Sequence, residues 1–119
     1  MPYIQIAVTA SLTSGDKTAL RAAALDAAAG ILNKKREIVM VHILDNQALT
    51  KGEGDAPCAF CDVRVMGAAT PEACDRFSQA LSADIARIAH TAPLCVYLSV
   101  SELTLCYTDG KLPPGHSAR

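Results

Sequence analysis

The stretch TPEACDRFSQALSADIARIAHTAPLCVYLSV, residues 70–100, decides the fold. Thr70 is a helix N-cap by type, and Pro71 occupies the first helical position, where its missing N–H costs nothing. Phe77, Leu81, Ile85 and Ile88 then recur at the spacing of one helical face. Cys95 to Val100 follows as a β-prone run. The stretch therefore reads as helix followed by strand.

Residues 13–43, TSGDKTALRAAALDAAAGILNKKREIVMVHI, repeat this plan 57 positions earlier. Thr13 maps on Thr70, Leu20 on Phe77, Ala24 on Leu81, Ala28 on Ile85, Ile31 on Ile88, Val39 on Val96 and Val41 on Leu98. Asp16, three residues after Thr13, completes a capping pair, and Gly30 and Asn33 suit the helix end. Ile38 to Ile43 reads as a strand apolar on both faces. Each helix is preceded by another strand, Tyr3 to Thr9 in the first unit and about Cys58 to Met66 in the second.

The chain is thus one domain over residues 1–119, with a pseudo-repeat of 1–45 and 57–103. Asp45 to Ala56, rich in Gly and charge, reads as a mobile surface loop between the units. The tail, 109–119, is polar and proline-rich and reads as loose. Each βαβ unit should cross over right-handedly with its strands parallel, giving an α/β (α+β) fold: a four-stranded mixed sheet with two helices on one face. Two helices cover only one face, yet Ile38 to Ile43 and Cys95 to Val100 are apolar in nearly every position. The expectation is an oligomer whose sheets pack on one another.

Composition narrows the function classes. Eleven Lys and Arg against twelve Asp and Glu give a net charge of -1, without the basic field that binds nucleic acid. No apolar run approaches the roughly 20 residues that span a bilayer, and the start lacks a signal-peptide pattern, so a cytoplasmic protein is expected. Five cysteines, an odd number, read as reduced thiols. Cys58 and Cys61 have CxxC spacing, but they open a strand rather than the helix that would lower a thiol pKa, and there is no second pair to complete a zinc site. His42, His90 and His116 show no ligand spacing, and no P-loop, GxSxG or dinucleotide-binding glycine pattern occurs. No metal or cofactor is expected.

Acid-base chemistry at the amino terminus remains. Removal of Met1 ahead of the small Pro2 would leave a secondary amine. An α-amino group titrates near about 7.7 to 8.0, so a neighbouring cation can keep it neutral at pH 7. In a parallel βαβ unit the starts of both strands lie at one end of the sheet, so Pro2 converges with Lys34, which precedes the second strand with Lys35 and Arg36. If the second unit runs antiparallel to the first, Val65-Met66-Gly67 reaches the same end.

Met1-Pro2-Tyr3, Ile31-Leu32-Asn33-Lys34, Pro57-Cys58-Ala59-Phe60-Cys61, Met66-Gly67 and Val96-Tyr97-Leu98, in this order and spacing, resemble the macrophage migration inhibitory factor and D-dopachrome tautomerase family of the tautomerase superfamily, over nearly the whole chain. The resemblance implies a homotrimer whose sheets enclose a central channel, with active sites between subunits. It implies that Pro2 is the catalytic base, that Lys34 and the Met66 backbone hold the acidic end of the substrate, and that Tyr97 enters a neighbour's pocket. Ser99 takes the place of a substrate-binding asparagine, Thr50-Lys51-Gly52 replaces a Phe-Gly-Gly stretch, and the tail lacks the family's aromatics. The implied reaction is keto-enol tautomerisation of phenylpyruvate-like or other α-keto acids. The alternative is a trimeric binding or signalling protein of the same family without efficient chemistry.

Overall fold

In a computed structural model, residues 2–67 and 69–112 are described. Met1 and most of the tail, His116 included, lie outside the described residues. The elements run in the order β1 (Pro2–Val8), α1 (Ser14–Gly30), β2 (Met40–Leu44), β3 (Ala59–Met66), α2 (Pro71–Ile88) and β4 (Val96–Leu103). Short 3-10 turns at Arg36–Ile38 and Pro93–Cys95 precede β2 and β4.

Both helices start as their sequences dictate. Thr13 Oγ1 accepts from the Asp16 N–H at 3.0 Å while the Asp16 carboxylate accepts from the Thr13 N–H at 3.1 Å, a complete capping box. Thr70 Oγ1 accepts from the Ala73 N–H at 3.1 Å, with Pro71 next in the chain. Both helices also leave by the same device: Asn33 and, 57 residues later, His90 take left-handed backbone conformations, φ 61° and 50°.

The strand order is β2-β1-β3-β4. β1 pairs parallel with β2, Tyr3 facing Met40, and β3 parallel with β4, Ala59 facing Val96. β1 and β3 are antiparallel, with Pro2 opposite Val65 and Val8 opposite Ala59. Two βαβ units thus meet head to tail along their first strands. Ile4, Ile6 and Val8 of β1 and Cys61, Val63 and Val65 of β3 point to one face and are closed off from solvent by Leu20, Ala24 and Ala28 of α1 and Phe77, Leu81 and Ile85 of α2. Full burial of each large side chain contributes about 1.5 to 3 kcal/mol. Among the described residues no helix is long and apolar enough to cross a membrane.

Three expectations change. Ile38 is exposed in a 3-10 turn, and β2 begins only at Met40, so the run of apolar residues overstates the strand. The segment after β2 is an exposed loop over residues 50–56, as expected, but its start is anchored to the first unit: Asn46 and Gln47 donate backbone hydrogen bonds to Ala10 and Val8, both at 3.0 Å. Finally, the uncovered sheet face is not generally apolar. β4 alternates, placing Val96, Leu98 and Val100 towards the helices and Tyr97, Ser99 and Ser101 on the open side, where Gln5, His42, Asp62 and Arg64 also lie. An apolar count along a strand does not reveal which residues share a face; the period-two register does.

Candidate active site

The antiparallel meeting of β1 and β3 delivers three sequence-predicted residues to one end of the sheet. Pro2 is the first residue of β1, the position in a sheet where the missing N–H of proline is tolerated, and it is buried. Val65 lies opposite it, and Met66 is next along β3. Gly67 then takes φ 94°, which only glycine adopts readily, and turns the chain off the sheet beside Pro2. From the other side comes Lys34. The left-handed Asn33 redirects the chain after α1, the Lys34 N–H donates to the Ala28 carbonyl at 3.0 Å, and Lys34 Nζ donates to the Met66 carbonyl oxygen at 3.1 Å. Lys34 is half-buried, and none of the ion pairs among the described residues involves its ammonium. A lysine ammonium has three N–H donors, so two remain for a ligand. A cation next to the first residue of β1 is an arrangement suited to a carboxylate.

Tyr97 and Ser99 are elsewhere. Tyr97 pairs with Phe60, which pairs with Ala7, five residues along β1 from Pro2 (7 − 2); at about 3.3 Å per residue the separation is roughly 17 Å. Ser99 pairs with Asp62, between the two ends. Within one chain, then, the predicted residues form one cluster, Pro2, Lys34 and Met66, and two outliers.

Near the cluster, on the open face, Tyr3 donates its hydroxyl proton to Gln5 Oε1 at 2.9 Å and lies 2.8 Å from His42 Nδ1. Which of the two, the phenol or the imidazole, donates in that second contact is set by the His42 tautomer. Arg64 lies over the Tyr3 ring at 5.9 Å and pairs with Asp62 at 3.2 Å. His42 is therefore part of a polar network that its place in an apolar run did not suggest.

Both thiols of the CxxC spacing are buried. Cys61 faces the core, and burial, with the Asp62 charge adding to it, pushes its pKa up to about 12. Cys58 is buried too, its thiol donating to the Ala56 carbonyl at 3.3 Å. Among the described residues no group of His, Cys, Asp and Glu has the makings of a metal site.

A pocket of about 290 Å³ went unanticipated. It lies at the end of the sheet away from Pro2 and is lined by residues 49–52, 58–60, 95 and 97, among them Lys51, Phe60 and Tyr97. Its sequence signals were Tyr97 and the Thr50-Lys51-Gly52 stretch, neither of which pointed to a cavity within one chain.

The architecture has known counterparts. The Leishmania major MIF2 structure superposes with a TM-score of 0.87 at 22% identity, covering 93% of this chain and 96% of that one. Macrophage migration inhibitory factor of Toxoplasma gondii gives 0.75 at 26%, with 85% and 89% covered. Pt0534 inactivated by 2-oxo-3-pentynoate gives 0.76 at 19%, with 85% of each chain covered. No curated protein matches in sequence comparison. The family profile described as macrophage migration inhibitory factor (MIF) matches residues 1–104, which take in both βαβ units and the whole Pro2, Lys34 and Met66 cluster. With that match over the fold just described, the chain belongs to the macrophage migration inhibitory factor family.

Proposed function

We propose that the chain is a tautomerase that interconverts the keto and enol forms of phenylpyruvate-like or other α-keto acids, with Pro2 as general base once Met1 is removed. The observation that carries this reading is the Lys34 ammonium, held 3.1 Å from the Met66 carbonyl at the end of the sheet where Pro2 begins β1. In this reading that ammonium is the cation for the substrate carboxylate, and the Met1-free Pro2 is the secondary amine that works with it. The neutral amine takes the proton from the enol hydroxyl, or from the carbon α to the carbonyl, and returns it to the other atom. Lys34 binds the carboxylate and stabilises the negative charge that develops on the enolate oxygen. No cofactor is needed, since the proton that leaves is the proton that returns.

Tyr97 and Ser99 are too far from Pro2 to share its pocket in one chain, which favours a homotrimer in which a neighbour supplies them. The polar open face suits a solvent-filled channel better than a dry interface. The inactivation of Pt0534 by a 2-oxo acid supports the substrate class. A cytoplasmic enzyme completes the reading.

The test is enol-to-keto conversion of phenylpyruvate followed by ultraviolet absorbance, on protein whose intact mass shows Met1 absent and whose light scattering reports a trimer. Lys34→Ala is expected to raise KM, and also to move the acidic limb of kcat/KM to higher pH, because the lost cation no longer opposes protonation of the amine. Absence of turnover on several α-keto acids by the Met1-free trimer would leave a non-catalytic binding protein instead.

A further inference from the structure

Lys51 stands in the pocket of about 290 Å³ with Tyr97. Its Nζ donates to the Leu94 carbonyl oxygen at 2.6 Å and sits 5.3 Å from the centre of the Tyr97 ring. The turn that carries it is set by Gly52, at φ 61° with open space around it, and closes through the Gly54 N–H on the Lys51 carbonyl. Lys51 takes part in none of the ion pairs among the described residues. Two of its three N–H donors are therefore unclaimed by any carboxylate, above walls contributed by Leu49, Phe60 and Tyr97. Phe60 and Tyr97 are 41% and 53% exposed, large apolar surfaces open to an incoming ligand.

We infer that Lys51 is a second anion-binding residue of the substrate site, and that the preferred substrates are 2-oxo acids carrying a second carboxylate at the far end of an aliphatic chain. This rests on the proposed reading in which Tyr97 enters a neighbour's pocket. Lys51, fixed beside Tyr97, then enters with it. The pocket acquires a cation at each end: Lys34 for the 2-oxo carboxylate and the partner subunit's Lys51 for the distal one. Apolar walls between them accommodate methylene groups. A charge-assisted hydrogen bond from an ammonium rewards a carboxylate more than a neutral group of the same shape. A monoacid of the same length would leave Lys51 without an ion-pair partner.

The matched pair 2-oxoadipate and 2-oxohexanoate isolates the distal carboxylate, since the two have equal carbon number and the same 2-oxo acid head. Titration calorimetry of each into the trimeric protein is expected to give about tenfold tighter binding of the diacid, the scale of one charge-assisted contact at a partly wet site. Lys51→Met should erase the difference by weakening only the diacid. Lys51→Arg, which keeps the cation, should retain most of it, a rescue that loosening of the loop would not produce. Lys34→Ala should weaken both acids together. Equal affinities in the wild type, a preference that survives Lys51→Met, or binding indifferent to Lys34→Ala each overturns the inference. Failure of the parent reading looks different: the diacid preference and its Lys51 dependence persist while phenylpyruvate is not turned over.

Discussion

The two ends of the sheet are related by the repeat, and they have been built for opposite ends. Adding 57 takes Pro2 to Ala59, Asn33 to His90 and Lys34 to Thr91, while Thr9 stands where Met66 stands in the second unit. At the first end the polar groups face outwards: Lys34 Nζ touches one carbonyl and has donors to spare. At the second, the residues equivalent to that cluster close on themselves. Thr91 is 4% exposed and donates to the Ala89 carbonyl at 3.1 Å, Ala59 is buried, and Thr9 Oγ1 accepts from the Cys58 N–H at 3.0 Å and donates to its carbonyl at 3.1 Å. The backbone device is the same, a left-handed residue after the helix, Asn33 or His90, ahead of Lys34 or Thr91. Whether that residue is lysine or threonine separates a site from a corner. Fold symmetry and chemical symmetry are independent.

The largest effect expected from breaking this contrast is at Pro2. A variant that retains Met1, verified by mass, should lose about 10²-fold or more of the phenylpyruvate tautomerase rate, the scale of a general base, while light scattering still reports the trimer. Next comes transplantation of the lysine. Thr91→Lys would confine an ammonium in a closed corner and is expected to cost about 3 kcal/mol or more in urea unfolding, whereas Lys34→Thr should change stability by less than about 1 kcal/mol. Equal costs would mean that the two ends are not differently open.

Smaller still is the effect on the thiols. The folded Cys61 pKa of about 12 lies above its ordinary value of 9.0, so the fold favours the neutral thiol. Stability from this source is intact below pH 9 and declines as pH rises from about 9 towards 12, because the unfolded chain releases a proton that the folded chain keeps. Cys61→Ala should flatten that decline, and neither Cys58→Ser nor Cys61→Ser should abolish turnover in protein that still assembles. The smallest effect concerns Asp45. It accepts from the Leu12 N–H at 3.1 Å and lies 3.6 Å from Lys17 Nζ, and mainly the Leu12 hydrogen bond, helped by Lys17 and opposed by desolvation, holds its carboxyl below 3.8. Its contribution is present above that pH and lost as pH falls through the lowered value, so Asp45→Asn should reduce the acid sensitivity of unfolding slightly.

Much of this was legible in the sequence because it is local or periodic. Thr13 with Asp16, Thr70 with Pro71, and the Phe77 to Ile88 stripe each encode their structure within a few residues. The convergence of Pro2 and Lys34 needed only the parallel pairing of strands within a βαβ unit, and Met66 needed one further condition, the antiparallel meeting of the two units. What was hidden depends on register or on contacts across the chain. Which residues of β4 face the helices follows from its pairing with β3, and the Lys51 pocket from a hydrogen bond to Leu94, 43 residues away. A glycine-rich charged segment looks the same in sequence whether or not its backbone is anchored to a neighbouring strand.

The buried face of α1 is made chiefly of alanine, Ala24, Ala27 and Ala28 beside Leu20, where α2 presents Phe77, Leu81, Ile85 and Ile88. The two halves of the gene therefore have unequal room for change. An alanine in a close-packed seam can only be enlarged or emptied; enlarging it costs about 1 to 3 kcal/mol, while swaps of like volume among large side chains cost less than about 1.5 kcal/mol. Over long drift the first half should hold its interior letters nearly fixed, and the second should wander among Leu, Ile, Met and Phe, so that the half carrying Pro2 is also the half whose packing leaves selection the least latitude.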